Sequence, residues 1–238
     1  PRSFNLFKQF CSSYKINKMI NKINPIITHV HFTTAIFTTV FAYFGKTSNT
    51  LIGTFHGLNS VSSSGIKKYF YKLIESYCFL KLDKIILINK LDYTSIGSAF
   101  ANKIYLLKSK GLGCDLNLFN IKNYSIHQIQ NLKDHFNIHG QFVLTFIGRF
   151  VHFKGFDIVI KTFLKLSTKY QNKFKLILIG GFDTVHSSGL SDAEKNLVYN
   201  HKDILIVGFV SDVYKYLSIV DLLIFPSKKE GLPIVVTE

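Results

Sequence analysis

Two cations in the second half of the chain follow an apolar run at a spacing that suits a phosphate ligand. Arg149 and Lys154 come after Phe142–Ile147, and Gly148 stands between that run and Arg149. The glycine lets a ligand approach the backbone, and a guanidinium holds phosphate oxygens through two hydrogen bonds. The pattern therefore favours a diphosphate, although two solvated cations on a turn fit it equally well.

Two carboxylates, Glu230 and Glu238, lie eight positions apart after the apolar run Asp221–Phe225. Gly231 frees the turn beside Glu230, and Pro233 suits the first turn of a helix. A helix that begins there would direct its amides at a bound phosphate, while the carboxylates accept hydrogen bonds from sugar and ribose hydroxyls. A loop glutamate and an exposed helix glutamate are the alternative.

These residues stand within a regular alternation of short apolar runs and longer amphipathic segments. Because the runs are continuously apolar, we expect parallel strands that are buried on both faces and connected by helices, which is an α/β fold. Two of the connecting helices are predicted at Gly65–Lys81 and Gly155–Tyr170. The predicted strands are Pro25–Val30, Thr50–Phe55, Lys84–Ile88, Lys103–Leu107, Phe142–Ile147, Phe174–Ile179, Ile204–Val207 and Asp221–Phe225.

The alternation is interrupted once, in the polar and glycine-containing segment Gly111–Asn137, and it restarts at Phe142. A boundary between two domains is expected there, with about four strands on each side. We predict a first domain over residues 1–120 and a second domain over residues 121–238.

The composition is that of a globular protein with a basic balance, because 47% of the residues are hydrophobic and the net charge is +15. That charge favours anionic partners such as nucleic acid, anionic lipid or phosphorylated small molecules. The lysines are spread along the chain and no nucleic-acid-binding motif is present, which argues against a specific nucleic-acid partner. Three cysteines without metal-ligand spacing indicate reduced thiols, and no apolar stretch is long enough to cross a membrane.

The segment Arg2–Ile23 combines lysines with Phe4, Phe7, Phe10, Tyr14 and Ile20. A basic, aromatic helix of this kind would suit an anionic membrane surface. An ordinary helix with a core-facing apolar stripe is the alternative that we favour.

The second half resembles the carboxyl-terminal domain of glycosyltransferase family 4, whose members have the GT-B fold and retain the anomeric configuration. The resemblance rests on two separated motifs, GRFVHFKG and PSKKEGLPIVVTE, and on the segments KLILIGGFD and ILIVGFVSDVYKYLSIVDLLIFPS between them. The second motif reproduces the E-x7-E pattern of the family with Glu230 and Glu238.

The first half resembles the same family more loosely, through NPIITHVHF, LIGTFHGLN and KIYLLKSKGLGCDLNLF. The resemblance implies two Rossmann-like domains with parallel sheets facing a central cleft. We expect both domains to be incomplete, because no glycine-rich loop precedes Arg2 and the motif helix would continue beyond Glu238.

The resemblance also implies a role for each matched residue. Arg149 and Lys154 would bind the donor diphosphate, and His56 would reach the donor sugar from the other domain. Glu230 would contact the donor sugar, and Glu238 would hold the ribose. The remaining donor-binding residues would be Gly148, Phe209, Val210, Gly231 and Leu232.

The implied activity moves a sugar from a nucleotide sugar to an acceptor hydroxyl with retention, in polysaccharide, lipopolysaccharide or other glycan biosynthesis. No metal or other cofactor is expected, since Arg149 and Lys154 would neutralise the diphosphate. The expected partners are a nucleotide-diphosphate sugar and a glycan or lipid-linked acceptor. A cytoplasmic location with peripheral contact at the inner face of the plasma membrane would suit them. The alternatives are a non-catalytic remnant and a basic module that binds anionic surfaces.

Overall fold

The computed structural model describes residues 6–41, 49–108, 113–183, 189–228, 230 and 233–238. Contacts within the chain divide it into two compact units, whose main spans are Pro1–Gly113 and Cys114–Glu230. Each unit contains a parallel four-stranded sheet connected by helices, so the predicted α/β class is confirmed.

The first unit has the strand order β1-β2-β3-β4, so each strand lies beside the next one along the chain. This arrangement follows from helical crossovers of one handedness, which place successive parallel strands side by side. The elements are α1 (Leu6–Ile23), β1 (Ile27–His31), α2 (Thr33–Val40), β2 (Thr50–Phe55), α3 (Asn59–Ser62), α4 (Gly65–Lys81), β3 (Lys84–Leu87), α5 (Lys90–Ile96) and β4 (Ile104–Leu106).

The second unit has the strand order β7-β6-β5-β8, so its order reverses beside β5. The elements are α6 (Ile126–His135), β5 (Phe142–Phe150), α7 (Phe156–Lys169), β6 (Phe174–Phe182), α8 (Asp192–Tyr199), β7 (Ile204–Gly208), α9 (Val213–Leu217) and β8 (Leu222–Leu223). In an open α/β sheet, the carboxyl edge at such a reversal is the usual place for a ligand.

Both faces of the second sheet are buried, as the continuously apolar runs predict. On β6, Leu176 and Leu178 pack into one cluster with Phe146 and Phe163. The alternate residues, including Ile177, pack into a separate cluster on the other face. Side chains of successive strand residues point to opposite faces, so a strand covered on both sides must be apolar throughout.

The strand β5 is longer than predicted, because its pairing with β6 continues through Phe150. Gly148 and Arg149, which follow the predicted run Phe142–Ile147, therefore lie within the last part of the strand. The partner segment of β6 contains Gly180 and Gly181. The pairing of the two strands continues past these glycines to the last residue of each strand.

The prediction of a core-facing apolar stripe on the first helix is wrong for the described aromatic residues, whereas Ile20 is buried as predicted. In α1, Phe7 is 75% exposed and Tyr14 is 61% exposed. The helix instead packs through polar side chains: Gln9 accepts a hydrogen bond of 2.6 Å from the Thr38 hydroxyl. Asn17 donates to the Thr39 carbonyl oxygen at 3.1 Å. The polar side of α1 therefore faces the threonines of α2, and the described aromatic side chains of α1 face the solvent.

The helix predicted to begin at Pro233 is a short 3-10 turn, Ile234–Val236.

Candidate functional site

The carboxyl edge of the second sheet places the predicted donor-binding residues in or directly after its strands. Arg149 ends β5 with Phe150, and Lys154 lies in the 3-10 turn His152–Lys154 that follows. Because all four strands are parallel, the segments that follow them share this one edge. Glu230 lies in the segment after β8.

Glycines shape the end of β5 and β6. Gly148 pairs with Gly180, at φ angles of 147° and 130° that side-chain-bearing residues rarely adopt. A Cβ atom at Gly180 would overlap the Gly148 carbonyl group. The two strands therefore keep their register up to Arg149 only because both positions are glycine.

Arg149 forms an ion pair with Asp183, the first residue after β6. Its Nη1 atom donates to Asp183 Oδ2 at 2.9 Å, and the Arg149 side chain is about half exposed. The pair keeps the guanidinium at the sheet edge, where an anionic ligand can reach its solvent-facing side.

Lys154 forms an ion pair with Glu230. The Ser227 hydroxyl also donates to Glu230 Oε1 at 2.6 Å, which orients the carboxylate. Both ion-pair side chains are only about a fifth exposed. This partial burial strengthens the attraction relative to an ion pair on the open surface.

The close approach of two segments brings Lys154 and Glu230 together. Gly155 has a φ of 74°, and a Cβ atom there would overlap the Pro226 carbonyl group. The Lys228 amide donates to the Phe153 carbonyl oxygen at 3.3 Å, which joins the same two segments. The Lys-Gly sequence after β5 thus has a packing reason that is independent of any ligand.

Two other predicted residues follow β7. Phe209 is almost fully exposed, and Val210 packs partly against the cluster that contains Ile147 and Val207. Gly208, at a φ of 87°, turns the chain so that Phe209 points to solvent. An exposed aromatic ring at this edge is available for stacking, whereas Val210 is part of the core.

Glu238 lies in a different environment from the Lys154–Glu230 pair. It lines a cavity of about 150 Å³ together with Phe119, Tyr124 and Tyr214. Partial burial in this cavity raises the pKa of the Glu238 carboxyl group. Within the described part of the chain, no hydrogen bond or ion pair joins Glu238 to Arg149, Lys154 or Glu230. Gly231 and Leu232 lie outside the described residues.

His56 lies in the first unit, directly after β2, and its ring is fixed by two neighbours from the end of β1. His31 Nδ1 lies 3.1 Å from His56 Nε2, and the Phe32 ring stacks on His56 at a centroid distance of 4.1 Å. Burial, with an additional effect from His31, lowers the pKa of His56. The neutral imidazole is therefore favoured, and it can both donate and accept a hydrogen bond.

Sequence reasoning missed three partners: Asp183, Ser227 and His31. Each follows or ends a strand beside a predicted residue, so the strand order would have found Asp183 and His31. Ser227 stands three positions before Glu230, a local spacing that the sequence does show. Among the described residues, no group of three or more His, Cys, Asp or Glu side chains is placed to hold a metal ion.

The family model for glycosyl transferases group 1 matches residues 128–238, which include the whole sheet of the second unit. This part of the chain resembles that family. The resemblance inferred from the two motifs is therefore confirmed, and the group 1 domain contains the Arg149, Lys154 and Glu230 positions.

A curated relative resembles nearly the whole chain. The chain is 25% identical over 234 residues to the capsular polysaccharide biosynthesis glycosyltransferase CapM of Staphylococcus aureus. The match covers 97% of the chain and 60% of CapM. The chain thus spans less than two thirds of the length of this relative.

Solved structures confirm the predicted GT-B fold, with a parallel sheet in each of its two units. Anabaena Alr3699/HepE in complex with UDP and glucose matches with a TM-score of 0.65 at 15% identity, over 89% of this chain and 55% of that one. A glycosyltransferase from Rickettsia africae ESF-5 matches with a TM-score of 0.63 at 19% identity, over 95% and 58%.

Proposed function

We propose that this protein transfers a sugar from a nucleotide-sugar donor to an acceptor hydroxyl with retention, as a hexosyltransferase of polysaccharide, lipopolysaccharide or other glycan biosynthesis. The observation that carries the proposal is the pairing of Lys154 with Glu230 at the carboxyl edge of a group 1 domain. A cation for the diphosphate and a carboxylate for the sugar hydroxyls then stand side by side.

Arg149 and Lys154 would hold the donor diphosphate. In the free protein each cation is paired with a carboxylate, Arg149 with Asp183 and Lys154 with Glu230. A diphosphate carries more charge than one carboxylate and would replace these pairings with stronger ones. As the nucleotide leaves, its phosphates gain negative charge, which the two cations stabilise without a metal ion.

Glu230 would accept hydrogen bonds from hydroxyls of the donor sugar. The Ser227 hydroxyl occupies Oε1, so it fixes the carboxylate while the remaining lone pairs stay directed at a ligand. The roles of Gly148, Phe209, Val210, Gly231, Leu232 and Glu238 in donor binding, and of His56 in contacting the sugar, belong to the same proposal.

The proposed acceptor is a glycan or a lipid-linked glycan, because CapM is a capsular polysaccharide biosynthesis glycosyltransferase. We also propose a cytoplasmic location with a peripheral contact at the inner face of the plasma membrane, where a lipid-linked acceptor would be met. No helix among the described residues is long and apolar enough to span a membrane.

Calorimetric titration with nucleoside diphosphates tests the donor site. UDP is the first ligand to test, since HepE was crystallised with UDP, and GDP is the comparison. Lys154→Ala and Arg149→Ala should each weaken binding about tenfold or more, because each removes a charge-assisted hydrogen bond.

Lys165→Ala removes an exposed lysine of α7 and is the matched control, so it should leave binding unchanged. Absence of binding to both nucleotides, or equal binding by the wild type and the Arg149→Ala, Lys154→Ala double variant, would overturn the proposed donor site.

A further inference from the structure

The excess positive charge of the chain is concentrated in the first unit rather than spread evenly. Residues 1–113 contain fifteen lysines and arginines but only three acidic residues, whereas residues 114–238 contain fourteen and eleven. The sequence-based description of evenly spread lysines therefore holds for their number but not for the net charge. An anionic partner would be attracted to the first unit.

The solvent face of α4 combines this charge with large apolar side chains. Ile66 is 86% exposed, and Tyr69 and Leu73 are exposed to a similar degree at helical spacings of three and seven residues. Phe70 adds a fourth exposed apolar side chain. The exposed Lys67, Lys68 and Lys72 alternate with them. We call this set of seven residues, Ile66–Phe70 with Lys72 and Leu73, the α4 face.

The single acidic residue of α4 is buried and lies opposite Ile66, on the same side of the helix as Lys68 and Lys72. Glu75 is 1% exposed and accepts hydrogen bonds from the Asn59 amide at 2.7 Å and from the Ser60 amide at 3.4 Å. Its carboxylate therefore caps the start of α3, and Glu75 lines one cavity together with Lys68 and Lys72, whereas Lys67 lies outside that cavity. The α4 face is thus basic and apolar at once.

A cavity of about 330 Å³ adjoins this face within the first unit. Lys68 and Lys72, one helical turn apart, stand at its edge, and its wall includes Leu58, Val61 and Phe79. In the described part of the chain, neither lysine forms an ion pair. Glu75 lines the same cavity, with apolar side chains beside it.

We propose that the α4 face lies on the surface of an anionic phospholipid bilayer. Ile66, Tyr69, Phe70 and Leu73 would enter the boundary between headgroups and acyl chains, while the lysines contact lipid phosphates. The exposed aliphatic side chains favour a lipid surface over a nucleic acid, because a nucleic acid offers no acyl chains for them to enter. The surface deepens the proposed membrane contact and does not depend on sugar transfer.

The other helix packed on α2 has the same character. The sequence of α1 has no acidic residue, and Phe7, Tyr14 and Met19 are exposed beside its lysines. Two helices of one unit therefore carry exposed apolar side chains among lysines. One such helix binds a membrane weakly, and a second would strengthen the attachment by acting within the same molecule.

Vesicle binding by the purified chain tests the proposal, and tryptophan fluorescence reports the contact because the chain contains no tryptophan. The probe variant is Leu73→Trp on the α4 face, and Ile126→Trp, at an equally exposed position of the second unit, is its control. Vesicles of phosphatidylcholine alone are compared with vesicles that also contain phosphatidylglycerol.

We expect a blue shift for Leu73→Trp, only with phosphatidylglycerol present, and no shift for Ile126→Trp. The triple variant Lys67→Glu, Lys68→Glu, Lys72→Glu should bind these vesicles at least tenfold more weakly, since each basic residue near such a surface contributes about 1 kcal/mol, roughly fivefold. The control is a triple variant of α7, Lys161→Glu, Lys165→Glu, Lys169→Glu, which changes the net charge by the same amount. Its vesicle affinity should fall much less.

Equal losses in the two triple variants, or no fluorescence shift for Leu73→Trp, would overturn the proposal. Binding of DNA that depends on the α4 lysines, without vesicle binding, would assign the face to nucleic acid and would also overturn it. Circular dichroism melting checks each fold, and Leu73→Ser serves if the triple variant is unfolded. UDP titration on the same samples shows separately whether the donor site is intact.

Discussion

The Lys154 ammonium and the Glu230 carboxylate form an ion pair although seventy-six positions separate them in the chain. Gly155 allows the two segments that carry these residues to approach each other, because a side chain at position 155 would collide with Pro226. The two motifs by which the sequence resembles its family thus come together as one local structure, with Ser227 bonded to the same carboxylate.

The coupling between Lys154 and Glu230 is measurable in a double-mutant cycle. Lys154→Met, Glu230→Gln and the double variant should give a coupling in the free energy of unfolding of about 1 kcal/mol or somewhat more, because the pair is largely buried. Chemical denaturation measures the three free energies. A parallel cycle on the exposed Lys195–Asp192 pair should give a smaller coupling, and equal couplings would contradict the importance of burial.

Asp183 should compete with a ligand for Arg149. Asp183→Asn removes the carboxylate charge and should tighten UDP binding by up to about fivefold, the value of an exposed ion pair. Arg149→Ala should weaken the same binding by about tenfold or more. Calorimetry measures both, and Asp192→Asn, which opens an ion pair on α8, should have no effect. Weaker binding by Asp183→Asn would instead indicate that Asp183 orients Arg149 for the ligand.

Gly180 should be intolerant of a side chain, whereas Gly181 should tolerate one. Gly180→Ala combines a left-handed φ with a collision against the Gly148 carbonyl group, and should lower the free energy of unfolding by about 2–4 kcal/mol. Nothing lies near a Cβ atom at Gly181, so Gly181→Ala should change it by less than about 1 kcal/mol. Thermal melting of the two variants compares their stabilities. Similar melting temperatures would refute the argument that Gly180 is required for packing.

His29, within β1, and His56, directly after β2, should make stability depend on pH. Burial, with an additional effect from His31, lowers the pKa of both His29 and His56 below 6.5. The unfolded chain therefore binds these protons more readily, and the free energy of unfolding should fall as the pH decreases below about 6.5. Denaturation at a series of pH values measures this slope.

Replacement of His31 tests the cause of the shift at His56. In His31→Asn, the pKa of His56 should rise toward its ordinary value but remain below it, because burial is the larger cause. Nuclear magnetic resonance titration of the ring signals measures the pKa directly. An unchanged pKa would show that burial alone is responsible.

The sequence by itself determined the α/β class, the existence of all eight strands and the limits of α4. Short apolar runs and helical periodicity are properties of the local sequence. A strand that is buried on both faces of its sheet has apolar residues throughout, without alternating polar ones. It also indicated Arg149, Lys154 and Glu230 as candidate site residues, because glycines and charged residues follow the apolar runs there, and their role stays a prediction. The match of the group 1 family model to residues 128–238 agrees with that interpretation.

Only the tertiary structure decided which residues meet. The pairing of Lys154 with Glu230 and of Arg149 with Asp183 depends on the strand order β7-β6-β5-β8, which no local pattern contains. The side of α1 that is buried likewise depends on tertiary contacts. Its aromatic stripe matches a core helix in periodicity, but Thr38 and Thr39 of α2 bond its polar stripe and leave Phe7 and Tyr14 outside. The face that a helix buries depends on the partner it meets, so the sequence of the helix alone does not decide it.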